Sequence, residues 1–173
     1  MLNALIDYYY YFMHERHYFE CHEVMEEAWK SKRHHSKSDI EVGLVLLATS
    51  QYHQRRNNHR GAATCLRKAV GILTQHQAAF RSIGLKPSIM DLLTQIDPDR
   101  DYKPLTLPLT DDMLLAIHSK YPDFEVRYNA NNDWLHYHMT RDRQPVIQTR
   151  LQSMHNKRPV DDAPDKGNDN ERS

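Results

Sequence analysis

The chain has 173 residues, of which 39% are hydrophobic and 27% are charged, a composition typical of one globular domain of ordinary size. Its 23 Lys and Arg residues balance 23 Asp and Glu residues, so no net charge attracts the chain to nucleic acid or anionic lipid. The mean hydropathy of -0.81 is polar for a folded domain, which predicts that part of the chain is an unfolded tail.

The N-terminus and the cysteines indicate a cytoplasmic protein. The first apolar stretch contains Asp7 and has neither a basic leading region nor a small-residue cleavage site, so it does not resemble a signal peptide. No apolar run approaches the roughly 18 residues that a membrane span requires, so we expect no membrane association. Cys21 and Cys65 stand alone, without the spacing of a zinc site, and are expected to be reduced thiols.

The first 96 residues contain five stretches whose apolar residues recur at helical spacing. They predict helices over residues 2–15, 18–32, 39–57, 60–83 and 89–96. Ser38 and Glu41 have the spacing of a capping box for the third helix, and Gly84 is placed to end the fourth. We therefore predict an all-α fold, a compact up-and-down helical bundle of about five helices over residues 1–96.

A C-terminal extension is expected over residues 97–155, with one or two helices. Residues 97–110 contain three prolines and predict an extended connection, and Thr110 is placed to cap a helix that ends before Pro122. Residues 124–139 fit strands, helix or irregular structure, and another helix is predicted after Pro145. Residues 156–173 lack large apolar side chains and are predicted to be a disordered tail.

Four consecutive tyrosines, Tyr8 to Tyr11, must place at least one ring on the outer side of the first helix. A partner helix or the C-terminal extension would cover such a ring equally well. The sequence therefore leaves homo-oligomerisation open.

The second and third helices carry the one concentration of chemically versatile side chains. His22 and Glu26 are four residues apart and share a helical face, with Cβ atoms about 5 to 6 Å apart. Glu23 borders that face. If the two helices pack antiparallel, His53 near the end of the third helix comes toward Phe19 and His22.

Three interpretations fit this cluster. In the first, His22 and Glu26 bond to each other, to a tyrosine or to an arginine and only hold the helices in register. In the second, His22, Glu26 and His53 bind a divalent transition metal, since imidazole and carboxylate suit Zn, Fe and Mn, although the second histidine of an H-E-x-x-H motif is missing. In the third, Glu26 or His22 transfers a proton as an acid or base.

The turn between the third and fourth helices, residues 53–60, is basic and contains Arg55 and Arg56. Such a turn can bind phosphate groups. The balanced net charge instead favours pairing of these arginines with the acid-rich second helix. Nucleic acid is therefore not the expected partner.

Three spaced elements of the sequence form a recognisable motif. They are Tyr18-Phe19-Glu20-x-His22-Glu23-x-x-Glu26-x-x-Trp29, then Tyr52-His53-x-Arg55-Arg56-Asn57, then Gly61-Ala62. In this order they resemble the bacterial family known as domain of unknown function 309, over about residues 5–96. The resemblance implies a small all-helical cytoplasmic protein without an established activity, whose shared polar core consists of His22, Glu23, Glu26, Trp29 and His53.

These observations predict a ligand- or protein-binding module with an unidentified protein or small molecule as its partner. The predicted polar cluster lies between helices two and three and consists of His22, Glu23, Glu26, Trp29, His53 and Arg56. The alternative is a metal-dependent or acid/base hydrolase that uses the same cluster, with a divalent transition metal at His22, Glu26 and His53. The sequence alone does not decide whether the protein is an enzyme.

Overall fold

Helices account for most of residues 1–129, the part of the chain that the computed structural model describes. The α-helices are α1 (Leu2–Tyr10), α2 (Tyr18–Lys30), α3 (Ile40–Arg55), α4 (His59–Gln75), α5 (Ile89–Thr94) and α6 (Asp111–Lys120). A π-helical turn, Tyr11–Glu15, continues α1, and a 3-10 helix, Gln77–Ile83, follows α4. An isolated bridge joins Leu85 to Leu109, and residues 1–129 contain no longer β structure. The predicted all-α fold is confirmed.

Helix α3 lies at the centre of the bundle, packed against both α2 and α4. Its apolar residues surround the helix axis, as the sequence predicts for a central helix, and Leu44, Leu47 and Ala48 are fully buried. Gly43 lets α4 approach closely, because a Cβ atom there would lie 3.0 Å from Leu73 Cδ2. The bundle therefore fixes the relative position of α2 and α3, the two helices that carry the predicted site.

The tyrosines of α1 are divided between the core and a second contact. Tyr8 and Tyr9 are completely buried. Tyr10 faces outward, and its ring stacks on Tyr121 with the ring centroids 3.8 Å apart. The segment that follows the bundle thus covers the outward-facing ring.

The predicted fourth helix, residues 60–83, is interrupted. Helix α4 ends at Gln75, and the chain tightens into the 3-10 helix, which buries Phe80 and Ile83. Gly84 then ends it in the left-handed conformation, with φ of 79°, as predicted. A side chain there would be strained, since a Cβ atom would lie 2.5 Å from Met113 Cε.

The predicted capping box at Ser38 and Glu41 is wrong. Helix α3 begins at Ile40 with Asp39 as its cap residue, and no side-chain cap bond forms there. The Asp39 carboxylate instead accepts a bond from the backbone N–H of Ser36 at 3.0 Å. Glu41 turns inward, where both of its oxygens accept bonds from Lys32 Nζ at 3.1 Å. These two carboxylates therefore stabilise the loop before α3 instead of capping the helix.

Residues 97–110 form the predicted extended connection, and Thr110 Oγ1 caps α6 by accepting a bond from Met113 N–H at 3.3 Å. The chain then returns to the N-terminal helix, where Arg127 N–H donates to Met13 O at 2.9 Å.

The predictions for residues 130–139, for the helix after Pro145 and for the tail at 156–173 lie outside the described residues. In the part that the structure describes, none of the helices has the length and apolar character needed to cross a membrane.

Candidate functional site

Helix α2 begins with an unusual cap. The ring of His17 accepts a hydrogen bond at Nδ1 from the backbone N–H of Glu20, at 3.1 Å. Burial lowers the pKa of His17 to about 4, so the ring is neutral at pH 7 and retains the lone pair that the cap requires. The neutral imidazole thus replaces the Ser, Thr, Asp or Asn that usually fills this position.

A small open cavity of about 160 Å³ lies between α2 and α3, and we call it the α2–α3 groove. The Phe19 ring lines it, with its centroid 6.3 Å from that of the His22 ring and 6.4 Å from that of the Tyr52 ring. His22 and His53 therefore lie in the walls of one cavity. The groove is lined by Tyr18, Phe19, His22, Thr49, Tyr52 and His53.

Two carboxylates lie next to the groove on α2. His22 Nδ1 is 3.3 Å from Glu23 Oε1, and Glu26 Oε1 pairs with Lys30 Nζ at 2.9 Å. One nitrogen or oxygen from each of His22, Glu23 and Glu26 lies within 4.8 Å of the others. Each of these three side chains is about one third exposed. His22 therefore belongs both to the groove and to this three-residue set.

The hydrogen bonds around His53 fix which of its ring nitrogens carries the proton. Asn58 Oδ1 caps α4 by accepting from the backbone N–H of Gly61 at 3.0 Å. The Asn58 amide nitrogen then faces His53 Nδ1 at 3.1 Å, so Nδ1 is the acceptor and the neutral ring carries its proton on Nε2. Burial, helped by the nearby Arg56 charge, lowers the pKa of His53 and keeps the ring neutral at pH 7.

Gly61 makes this arrangement sterically feasible. A Cβ atom at this position would lie 2.8 Å from the Asn58 amide nitrogen and 2.9 Å from His53 Cγ. The tight spacing accounts for the glycine at position 61 of the motif, next to Asn58 and the motif residue His53. Because His53 Nδ1 accepts the bond from Asn58, His53 offers a hydrogen-bond donor at Nε2 and no open metal ligand at Nδ1.

Trp29, which the sequence assigned to the same cluster, contacts the loop between α2 and α3 instead. Its Nε1 donates to Ser36 O at 3.1 Å and to Asp39 Oδ2 at 3.2 Å. Lys32 Nζ donates to the same Asp39 oxygen at 3.0 Å and neutralises it. These bonds hold the loop closed, so the contacts of Trp29 are structural.

The two arginines of the basic turn pack against the helices. Arg56 Nη1 donates to the Tyr52 hydroxyl at 3.3 Å, and its guanidinium lies over the Tyr52 ring, 5.3 Å from the centroid. Arg55 Nη1 donates to the backbone oxygen of Arg16 at 3.0 Å. Arg56 therefore supports a wall of the groove.

Sequence reasoning missed a second polar cluster at the start of α2, which we call the Arg16 junction. Arg16 is completely buried and adopts φ of 54° between the first two helices. Its guanidinium donates to Phe12 O at 3.0 Å, to Leu105 O at 2.6 Å and to Arg127 O at 2.6 Å. The only sequence signal is a charged residue between two apolar stretches, which is usually an exposed turn.

A tyrosine pair extends the Arg16 junction. The hydroxyls of Tyr18 and Tyr102 are 2.5 Å apart, which is a short hydrogen bond. Burial raises the pKa of Tyr18 well above its usual value and also raises that of Tyr102, so both hydroxyls stay protonated. The junction thus joins the start of α2 to the extended connection.

A larger hollow among the described residues has a different character. It has a volume of about 860 Å³ and lies between the turn at Gly84 and the start of α6. Its charged residues include Arg81, Lys86, Asp111 and Asp112, and Lys86 pairs with Asp111 at 3.2 Å. Charges of both signs compensate one another there, and within residues 1–129 no imidazole lines it.

Comparison with known proteins extends the resemblance noted in the sequence. The family described as a domain of unknown function (DUF309) matches residues 5–65, a range that contains every residue lining the α2–α3 groove. The chain is also 32% identical over 158 residues to the Bacillus subtilis (strain 168) protein named uncharacterized protein YpuF, a match that covers 85% of this chain and 91% of that protein. No solved structure matches the chain.

Proposed function

The chain belongs to the DUF309 family, and for this member we propose that the α2–α3 groove binds a segment of a partner protein. The observation that carries the proposal is the groove itself, an open apolar cavity with two imidazoles in its walls. The proposed role is that of a protein-binding module that holds one side chain of its partner.

The volume of the groove favours a protein segment over a small molecule. Sites for drug-sized ligands usually have volumes of about 300 to 1,000 Å³. The groove, at about 160 Å³, has room for one large apolar side chain such as Leu, Met or Phe. Single anchoring side chains in such cavities dominate the binding energy of many protein interfaces.

The polar groups around the groove define the rest of the partner. Neutral His53 carries its proton on Nε2 and offers a donor to a backbone carbonyl of the segment. The carboxylates of Glu23 and Glu26 stand beside His22. They favour Lys or Arg next to the apolar anchor, which would make association sensitive to salt.

The test is selection from a displayed random-peptide library against the full chain. We expect enriched peptides to share a large apolar residue flanked by Lys or Arg. A Thr49→Leu substitution fills the groove and should weaken their binding about tenfold or more, because it removes the cavity for the anchor.

The matched control is Thr64→Leu on α4. Both threonines donate from Oγ1 to the carbonyl four residues earlier, Thr49 to Val45 at 2.8 Å and Thr64 to Arg60 at 2.9 Å, but Thr64 does not line the groove. Thr64→Leu should leave peptide binding unchanged. Failure to enrich any peptide, or equal affinity for Thr49→Leu and the unsubstituted chain, would overturn the proposal.

A hydrolase that uses the same residues is the second candidate. The observation that favours it is that His22 belongs both to the groove and to the set with Glu23 and Glu26. The His22 ring lines the groove and stands beside two carboxylates, so a substrate in the groove would lie close to acid, base or metal chemistry. Hydrolysis of p-nitrophenyl acetate or p-nitrophenyl phosphate that is lost in His22→Gln would support it. If the unsubstituted chain hydrolyses these substrates no faster than His22→Gln does, the hydrolase candidate is excluded for them.

A further inference from the structure

We propose that the hollow between the turn at Gly84 and the start of α6, which we call the α6 hollow, is the surface through which two copies of this chain form a symmetric dimer. Its lining residues in the described part of the chain all lie outside residues 5–65, the range that matches the family, and they are separate from those of the α2–α3 groove. The proposal therefore stands independently of what the groove binds.

An exposed apolar side chain lies at the edge of the α6 hollow. Leu2, at the start of α1, lines the hollow and is 58% exposed. Pro87, Met113 and Ala116 extend the apolar lining. Isolated exposed leucines are ordinary on protein surfaces, whereas this one lies beside a cavity of about 860 Å³. In a symmetric dimer, Leu2 of each copy is buried in the hollow of the other.

The charges of the α6 hollow are balanced but not all of them are paired. Lys86 Nζ pairs with Asp111 Oδ1 at 3.2 Å. Within residues 1–129, the side chains of Arg81 and Asp112 have no ion pair, although both line the hollow and both are exposed. Arg81 lies on the 3-10 helix, and Asp112 lies in the first turn of α6. This part of the chain thus presents an unpaired cation and an unpaired anion on one surface.

This charge pattern favours a second copy of the chain over a different partner. A two-fold axis brings residue i of one copy against residue j of the other, and residue j against residue i. Arg81 of each copy then pairs with Asp112 of the other, so that both unpaired charges are neutralised in one interface. A nucleic acid, or a segment with charges of one sign, would instead meet a like charge in the hollow, which disfavours it.

The backbone around the α6 hollow is already held in place. Gly84 O accepts a bond from Thr110 N–H at 2.8 Å, and Lys86 N–H donates to Pro108 O at 2.8 Å. Together with the isolated β-bridge, these bonds join the turn to the segment before α6. A surface whose backbone is fixed loses little conformational freedom on association, which favours dimerisation.

The experiment is sedimentation velocity of the full chain at about 1 to 200 μM, a range that spans the dissociation constants of weak dimers. We expect a reversible equilibrium between monomer and dimer. Leu2→Gln should raise the dissociation constant about fivefold or more, because it removes a buried apolar contact. The matched control is Leu115→Gln, since Leu115 is also an exposed helical leucine, at 72%, but does not line the hollow. It should leave the dissociation constant unchanged.

Charge reversal tests the pairing across the two-fold axis. Arg81→Glu and Asp112→Lys should each raise the dissociation constant about tenfold or more, because each places like charges opposite one another. An equimolar mixture of the two variants should dimerise about as tightly as the unsubstituted chain. In that mixed dimer the introduced glutamate faces the introduced lysine, and the retained Arg81 faces the retained Asp112.

Circular dichroism checks that each variant is folded, since these exposed positions tolerate substitution. A chain that stays monomeric over the whole range, as expected if residues 130–173 or another protein cover the hollow, overturns the proposal. A dimer that Leu2→Gln and both charge reversals leave unchanged also overturns it, as does a mixture of the two charge variants that fails to dimerise. Peptide binding by the α2–α3 groove is measured separately, so the two proposals can fail separately.

Discussion

The Arg16 junction and the α2–α3 groove flank the first turns of the same helix, yet they use polar side chains in opposite ways. Arg16 is 0% exposed, and its guanidinium donates to backbone carbonyls from three separate segments. His22 is 32% exposed and faces a cavity. The difference teaches that buried polar groups bonded to the backbone of distant segments hold this fold together, while partly exposed ones remain open to chemistry.

The largest expected effect is the loss of the junction in Arg16→Ala. The substitution leaves buried carbonyls of Phe12, Leu105 and Arg127 without their donor, and bonds to charged groups contribute roughly 1.5 to 3 kcal/mol each. Loss of the buried charge offsets part of this, and we expect the free energy of unfolding to fall by about 3 kcal/mol. Urea denaturation at pH 7 measures it.

Arg127→Ala is the matched control for that measurement. Arg16 bonds to the backbone oxygen of Arg127, which the substitution retains, and the Arg127 side chain is 44% exposed. Its effect should stay within about 0.5 kcal/mol. An Arg16→Ala variant as stable as Arg127→Ala would show that the junction does not hold the fold together.

An intermediate effect is expected from pH at the His17 cap, which lies between the two regions. The pKa of His17 is about 4 in the folded chain and about 6.5 when unfolded. Between these values the unfolded chain binds the proton and the folded chain does not, so stability is full above pH 6.5 and declines toward pH 4. Protonation would also remove the acceptor that caps α2.

His17→Asn isolates this contribution. Asparagine caps a helix well and does not titrate, so the variant should match the unsubstituted chain at pH 7 and lose less stability on acidification to pH 5. Thermal unfolding at both pH values provides the comparison. Parallel losses in the two proteins would assign the acid sensitivity to other groups.

The smallest expected effect is that of His22→Ala on stability. The side chain is one third exposed and makes a hydrogen bond to its own neighbour, Glu23, so we expect a loss of about 0.5 kcal/mol or less. The same urea titration serves as the measurement. A loss comparable to that of Arg16→Ala would mean that the groove, too, is mainly structural.

The helices could be predicted because apolar spacing and helix-ending residues are local properties. The tyrosines of α1 and the cap at Thr110 illustrate this, since each depends on neighbours within a few residues. The capping box failed because Asp39 and Glu41 found partners in Trp29 and Lys32, which a pattern over four residues does not include. The division of residues 1–155 into a bundle and an extension stays a prediction.

The site was predicted in part for the same reason. Helical spacing placed His22, Glu23 and Glu26 on one face, and antiparallel packing brought His53 to the groove. The protonation of His53 depends on Asn58 and Gly61 across a turn, and two of the three partners of Arg16 lie about 90 and 110 residues away. Contacts at such separations leave no periodic signal in the sequence.

The long reach of Arg16 also sets an order of events during synthesis. Its acceptors on Leu105 and Arg127 are translated after the whole bundle, as is the Arg127 N–H that bonds to Met13. A ribosome-bound chain that ends before these residues therefore holds the Arg16 guanidinium with two of its three backbone acceptors still missing. The N-terminal region therefore reaches its final packing late, when residues 105–127 pack against helices that were synthesised first.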